Sequence, residues 1–234
     1  MFNKKLFKDT YYDTSYIDYK RYKTFSIYDT LNQQKLDYIL NNLASIKYQA
    51  LEICFDANNK DMLAQVTNAG FKPNYNWYIY YVSKQDVNLV PSDSIVQVKK
   101  RKIVKDLLTD QVHELAARMP EMFDENGEEE GWYKCGKKCL VYLKDKQIAS
   151  ILTYSHEKQN NNIHIYLTYT LPDMRSKGLG SKLLDYVKYV ASKNNISTIT
   201  ICTDVSKGNR VTNMFLKNGF VYYKTGYHKV INAI

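Results

Sequence analysis

No stretch of this 234-residue sequence approaches the ~18 consecutive uncharged apolar residues that a membrane-spanning helix needs. The opening, MFNKKLFKDTYYD, has lysines but no apolar run behind them, so the pattern of a secretory leader is missing too. Cysteine is sparse. Of Cys54, Cys135, Cys139 and Cys202 only the middle two are close in sequence, and no second pair stands nearby to complete a zinc site. Reduced thiols in a cytoplasmic protein are the simpler reading, and no metal is expected. An Arg-rich tract, a zinc-finger spacing and a recognition-helix signature are all absent, so the spread-out net charge of +9 does not by itself indicate nucleic acid. These absences argue against a membrane partner, a nucleic-acid partner and secretion. What is present is ordinary for a globular chain: 44% hydrophobic and 24% charged residues. The excess of 22 tyrosines over 8 phenylalanines, alongside many Asn and Lys, reflects coding bias as much as function.

The segment VNLVPSDS (87–94) puts a proline and small polar residues between two periodic stretches and reads as a boundary. The charge is uneven across it. Up to Ser92 there are 11 Lys+Arg against 9 Asp+Glu, and beyond it 22 against 15. The expected division is therefore an N-terminal unit, 1–90, and a second unit, 91–234. An internal echo links them. ALEICFD, NNKDMLAQVTNAGF and YNWYIYYV (50–56, 58–71, 75–82) are matched by TITICTD, KGNRVTNMFLKNGF and VYYKTGYHKVI (198–204, 207–220, 221–231). Each is a strand, a short amphipathic helix closed by Gly-Phe, and an aromatic strand, which points to duplication of one α/β unit.

The rest of the first unit reads as a strand at 23–29 and a helix at 31–49, with Leu36, Ile39, Leu40, Leu43 and Ile46 on one face. Residues 1–22 show no clear period. In the second unit, strands are expected at 94–100, 139–145, 147–157 and 163–171, with helices at 104–119 and 182–195. The fold class is α/β with a mixed sheet.

Chemistry concentrates in YTLPDMRSKGLGSKLL (169–184), a strand running into a two-glycine loop from which a helix starts at once. Amides at such a helix start point outward at the positive end of the dipole and make an anion site. Gly178 and Gly180 permit positive φ and let an anion approach the backbone. Arg175, Lys177 and Lys182 add charge, and Ser181 can cap the helix or donate to a phosphate oxygen. The spacing fits neither a GxxxxGK[ST] nucleotide loop nor a GxGxxG dinucleotide turn.

Arg175-Ser176-Lys177-Gly178-Leu179-Gly180, after Leu171-Pro172-Asp173 and before a Leu-Leu helix, resembles the acyl-CoA loop of the GNAT N-acetyltransferase superfamily, and the resemblance covers about 95–234. It implies an acyl-CoA N-acyltransferase fold, tandem here with a degenerate N-terminal unit, since 28–40 has no glycine and few cations. It implies acetyl-CoA as co-substrate, with the pyrophosphate on the amides of Ser176, Lys177, Gly178, Leu179, Gly180 and Ser181. The backbone of Tyr169, Thr170 and Leu171 would face the pantetheine where that strand splays from the next. Asn209 takes the position of a cofactor-touching asparagine, one residue nearer the Gly-Phe than is usual. The reaction it implies is direct acyl transfer to a primary amine of a small molecule or peptide.

His164 matches a family slot for a strand glutamate acting as base, and Asp204 a second base slot. The bland alternatives, a sheet-surface histidine and a helix or turn cap, stay open. The family's leaving-group acid, a tyrosine four residues before the Gly of Gly-Phe, is Phe215 here. Either Tyr222, Tyr223 or Tyr166 substitutes, with Tyr222 the first choice, or no acid is needed. EMFDENGEEE (121–130) carries six acids in ten positions, followed by Trp132 and Tyr133. It is either a field for a cationic acceptor or a solvated loop. The other function class left open is a non-catalytic acyl-CoA sensor or regulatory module. A third reading, aminoacyl-tRNA-dependent transfer, is disfavoured by the intact loop. Both monomer and homodimer are compatible with the sequence.

Overall fold

A computed structural model describes residues 7, 10–17, 20–27, 31–56, 58–89, 91–99, 138–145, 147–205 and 209–231. The expected helix at 104–119, the acidic segment 121–130, Trp132, Tyr133 and Cys135 lie outside the described residues. Packing divides the chain into two compact units. One comprises residues 1–78, 203–211 and 222–234, and the other residues 79–202 and 212–221.

The first unit holds β1 (Thr10–Ile17), β2 (Lys20–Ile27), α1 (Gln33–Asn41), β3 (Ala50–Phe55), α2 (Lys60–Asn68), most of β4 (Lys72–Tyr81) and most of β10 (Val221–Val230). Its strand order is β1-β2-β3-β10-β4. β1 runs antiparallel to β2, β2 parallel to β3, and β3 antiparallel to β10. Strand β1 falls where the sequence shows no period. The expected helix over 31–49 ends early, at Asn41. Asn42 turns its side-chain amide back onto Tyr38 O at 2.8 Å, and a 3₁₀ turn, Leu43–Ser45, follows. Such local side-chain-to-backbone bonds compete with the helical ladder. Even so, Leu36, Ile39 and Ile46 reach the core with Phe25, Ile27, Leu51, Ile53 and Phe55. The opposite face of this sheet is polar and buried, with Ser26, Glu52 and His228 in one cross-strand row.

The second unit holds β5 (Ile95–Lys99), β6 (Lys138–Lys144), β7 (Gln147–Glu157), β8 (Asn162–Thr170), α3 (Leu179–Lys193), most of β9 (Thr198–Asp204) and most of α4 (Asn209–Lys217). The strand order is β9-β8-β7-β6-β5. All these pairings are antiparallel except β8 with β9. The fold is thus the mixed α/β class expected. Helix α3 buries Leu179, Leu183, Leu184, Val187 and Ala191 on its sheet-facing stripe. The two echoed segments close their helices identically. Phe71 N–H bonds Val66 O and Gly70 N–H bonds Thr67 O, with Gly70 at φ +82°. Phe220 N–H bonds Phe215 O and Gly219 N–H bonds Leu216 O, with Gly219 at φ +80°. This is the double-bonded left-handed cap, with the phenylalanine folded back into the core.

Candidate active site

Strand β8 carries the feature that organises the site. Thr153 of β7 aligns with Leu167 but Tyr154 aligns with Ile165, so Tyr166 is an extra residue in β8. A bulge bends its strand and raises the local twist. The parallel ladder to β9 stops there. It covers 162–165 against 198–201, whereas β8 runs on to Thr170 and β9 to Asp204. The two strands therefore part just beyond His164 and Thr200.

Past the bulge, Ser150 of β7 secures the end of β8. Its hydroxyl donates to Tyr169 O at 2.8 Å and lies 2.8 Å from Thr170 Oγ1. Leu171 N–H donates to Ala149 O at 3.0 Å, and Pro172 opens a 3₁₀ turn. The chain then turns through Ser176 (φ +65°) and Gly178 (φ +75°), both left-handed. Gly178 is the N-cap of α3, and no side chain caps that helix. Its first turn is Leu179, Gly180 and Ser181, whose amides precede the first helical bond, Lys182 N–H to Gly178 O. Helix α1 of the first unit is built differently. Asn32 caps it through its side chain, accepting from Lys35 N at 2.9 Å.

Gly180 is fixed by a neighbour: a Cβ there would come within 3.1 Å of Met214 Sδ on α4. Arg175 folds back onto the strand, donating from Nε to Thr170 O at 3.0 Å with its guanidinium 5.4 Å from the Tyr169 ring centre. Lys177 Nζ bonds Asp173 O at 3.0 Å. Lys182 stands 5.4 Å over the Tyr142 ring. A hydrogen bond from Ser94, reinforced by Lys182, holds the Tyr142 hydroxyl below its ordinary value.

His164 is 7% exposed, with Nδ1 3.0 Å from Thr200 Oγ1 and the Tyr166 ring edge-on at 4.6 Å. The structure thus brings together His164, Tyr169, Thr170, Leu171 and the loop 175–181 in the second unit. Asp204 ends β9 and Asn209 opens α4. Both belong to the first unit, and their side chains lie outside the description. Tyr222, also in the first unit, has its hydroxyl 2.7 Å from Thr225 Oγ1, which donates to Asn76 Oδ1 at 2.8 Å. Phe215 is 1% exposed and packs on Phe220. Sequence reasoning missed Ser150, Thr200, Met214 and Asn218, whose roles depend on strand register and helix contact. Among the described residues no helix is long and apolar enough to cross a membrane. No group of three or more His, Cys, Asp or Glu among them could hold a metal.

The model of the acetyltransferase (GNAT) family matches residues 104–220. No curated protein matches the sequence. Among solved structures, the chain is similar to an acetyltransferase from the GNAT family of Colwellia psychrerythraea, at TM-score 0.56 and 12% identity, covering 94% of this chain and 84% of that one. It is similar to a GCN5-related N-acetyltransferase from Sphaerobacter thermophilus, at TM-score 0.52 and 11% identity over 96% and 77% of the two chains. A functionally unknown conserved protein from Staphylococcus epidermidis ATCC 12228 is similar at TM-score 0.56 and 18% identity over 88% and 83%. At these identities the likeness is one of fold.

Proposed function

This chain belongs to the acetyltransferase (GNAT) family, and from that premise we propose that it is an acetyl-CoA-dependent N-acetyltransferase acting on a primary amine of a small molecule or peptide. One observation carries the reading: β8 leaves β9 at the Tyr166 bulge and feeds an uncapped helix through a left-handed glycine. The amides of Leu179, Gly180 and Ser181 suit the pyrophosphate of coenzyme A, because they sit at the positive end of α3 with no side chain competing for them. The end of β8, Tyr169 to Leu171, borders the gap where the pantetheine would lie. Bound acetyl-CoA would supply the thioester.

The chain must then present the amine neutral, since an ammonium has no lone pair, and must pass its proton to a base. His164 and Asp204 are the candidates. Phe215 has no proton for the leaving thiolate. Tyr222 is the substitute, although its hydroxyl is engaged with Thr225. Residues 1–90 are a structural half in this reading, since the helix that would carry a second loop is capped by Asn32. The acidic segment 121–130 would favour a cationic acceptor. The buried Phe215 keeps a second reading in play, an acyl-CoA sensor without turnover.

Thiol release from acetyl-CoA with an amine panel separates the two readings. Turnover supports the enzyme, and binding without turnover supports the sensor. Calorimetry tests the site itself. Gly178→Val places a β-branched residue at φ +75°, and Gly180→Val drives atoms toward Met214. Each should abolish coenzyme A binding in a folded protein, and unchanged affinity in both would remove the assigned site.

A further inference from the structure

Five polar side chains on one face of β7, β8 and β9 form a hydrogen-bonded network whose chemistry constrains its direction. Asn162 Nδ2 donates to Glu157 Oε2 at 3.0 Å and to Thr200 Oγ1 at 2.8 Å. Asn162 Oδ1 accepts from Thr198 Oγ1 at 3.0 Å. An ionised carboxylate accepts only, so the amide nitrogen must face Glu157 and the amide cannot be turned over. Both of its hydrogens are then spent, one of them on Thr200.

Thr200 Oγ1 also lies 3.0 Å from His164 Nδ1. A hydroxyl has a single hydrogen to give. Among the described residues the Thr200 hydroxyl meets two groups, and one of them, Asn162, is a donor. Accepting from Asn162 leaves the Thr200 hydrogen available to His164 Nδ1, the direction in which all these bonds run one way. Accepting the Asn162 N–H strengthens Thr200 as a donor, so the chain is cooperative from Glu157 to the imidazole. The neutral ring then keeps its own proton on Nε2.

We propose that Thr200 is the positioning residue that holds His164 as the Nε2–H tautomer, so that His164 serves acyl transfer as a hydrogen-bond donor and not as the base for the amine. The catalytic half of this statement rests on the acetyltransferase reading, whereas the tautomer does not. A neutral imidazole accepts a proton only at its bare nitrogen, and here that nitrogen is Nδ1, closed off by Thr200. His164 and Thr200 form the last ladder pair but one before the strands part. A donor there suits a group that gains negative charge during acyl transfer. Proton uptake from the amine passes to another group, with Asp204 the remaining candidate.

The tautomer is read from proton–nitrogen correlation spectra of the intact ¹⁵N-labelled protein at about pH 8, where an ordinary histidine is neutral. Signals of His164 are identified by their loss in His164→Gln. A protonated Nε2 with a bare Nδ1 is expected in the wild type and in Thr200→Ser. A mixture of tautomers is expected in Thr200→Val and Thr200→Ala. A bare Nε2 in the wild type, or an unchanged tautomer in both hydroxyl-deleting variants, overturns the proposal. In turnover assays His164→Gln, whose amide donates but cannot act as a base, should stay within about tenfold of wild type. His164→Ala should lose about a hundredfold, the scale of a deleted oxyanion donor. Equal losses in the two variants would overturn the donor role. If coenzyme A does not bind, the acetyltransferase reading fails while the spectra still decide the tautomer.

Discussion

Asn218 spends both side-chain hydrogens at the junction of two helices, donating to Ser181 Oγ at 3.0 Å and to Met214 O at 2.7 Å. Ser181 Oγ is therefore an acceptor toward Asn218, and its own hydrogen is directed elsewhere, in the first turn of α3. That leaves the hydroxyl to donate beside the amides assigned to the pyrophosphate. Replacing Asn218 with Asp reverses the bond. The carboxylate captures the Ser181 hydrogen and adds negative charge at an anion site. Coenzyme A affinity measured by calorimetry should fall about tenfold or more, one charge-assisted hydrogen bond's worth. It should fall further than in Ser181→Ala, which removes the donor without adding charge. Wild-type affinity in Asn218→Asp would show that Ser181 does not contact the ligand.

The loop between β8 and α3 is legible in the sequence because everything it needs is local. Gly178 supplies the left-handed residue, and the helix follows within one position. The helix begins at Leu179 rather than at 182, so Gly180 and Ser181 lie inside its first turn. The Gly-Phe caps after α2 and α4 are legible for the same reason. Strand β1 is not, because its Tyr, Thr, Asp and Ser show no apolar alternation. Thr200 is hidden for a different reason: its meaning depends on standing opposite His164 in a parallel ladder, a register that a separation of 36 positions in sequence does not encode. Ser150 is likewise defined only once β7 and β8 are aligned. The bulge at Tyr166 sits in an alternating strand with no glycine to mark it.

Gly70 and Gly219 occupy equivalent caps, yet their surroundings differ. Both have a φ that L side chains rarely adopt, +82° and +80°. A Cβ on Gly70 would meet the end of the Lys229 side chain, with Nζ at 3.7 Å, whereas a Cβ on Gly219 would stand 3.1 Å from the Tyr80 ring. Left-handed backbone costs an alanine about 1–2 kcal/mol. Gly70→Ala should lose about that much, and Gly219→Ala more, because the Tyr80 ring is held by its hydroxyl on Asp86 and by the tilted Phe220 ring, 5.4 Å away between centres. Urea unfolding of the two variants checks the order, and equal losses would mean that the Tyr80 ring yields freely.

The same Tyr80 gives the fold a response to alkali. Its hydroxyl donates to Asp86 at 2.9 Å and 3.1 Å to the two carboxylate oxygens, and Asp86 also accepts from Ser83 N–H at 2.8 Å. Burial first, then the hydrogen bond and charge of Asp86, push the Tyr80 hydroxyl up from 10.0 to about 12. The unfolded chain therefore releases this proton near pH 10, while the native protein retains it until about pH 12. Across that window the native state binds more protons, so raising the pH favours unfolding. The contribution is fully present below pH 10 and is lost as the pH rises through about 12. Tyr80→Phe has no proton to lose. The stability difference between wild type and Tyr80→Phe should thus shrink steadily over this range, as measured by urea midpoints at matched pH. Asp86→Asn removes the negative charge and should bring the Tyr80 titration back toward 10, visible as earlier tyrosinate absorbance in the difference from Tyr80→Phe. A wild-type minus Tyr80→Phe difference that stays constant with pH would mean that Tyr80 ionises alike in the native and unfolded chains.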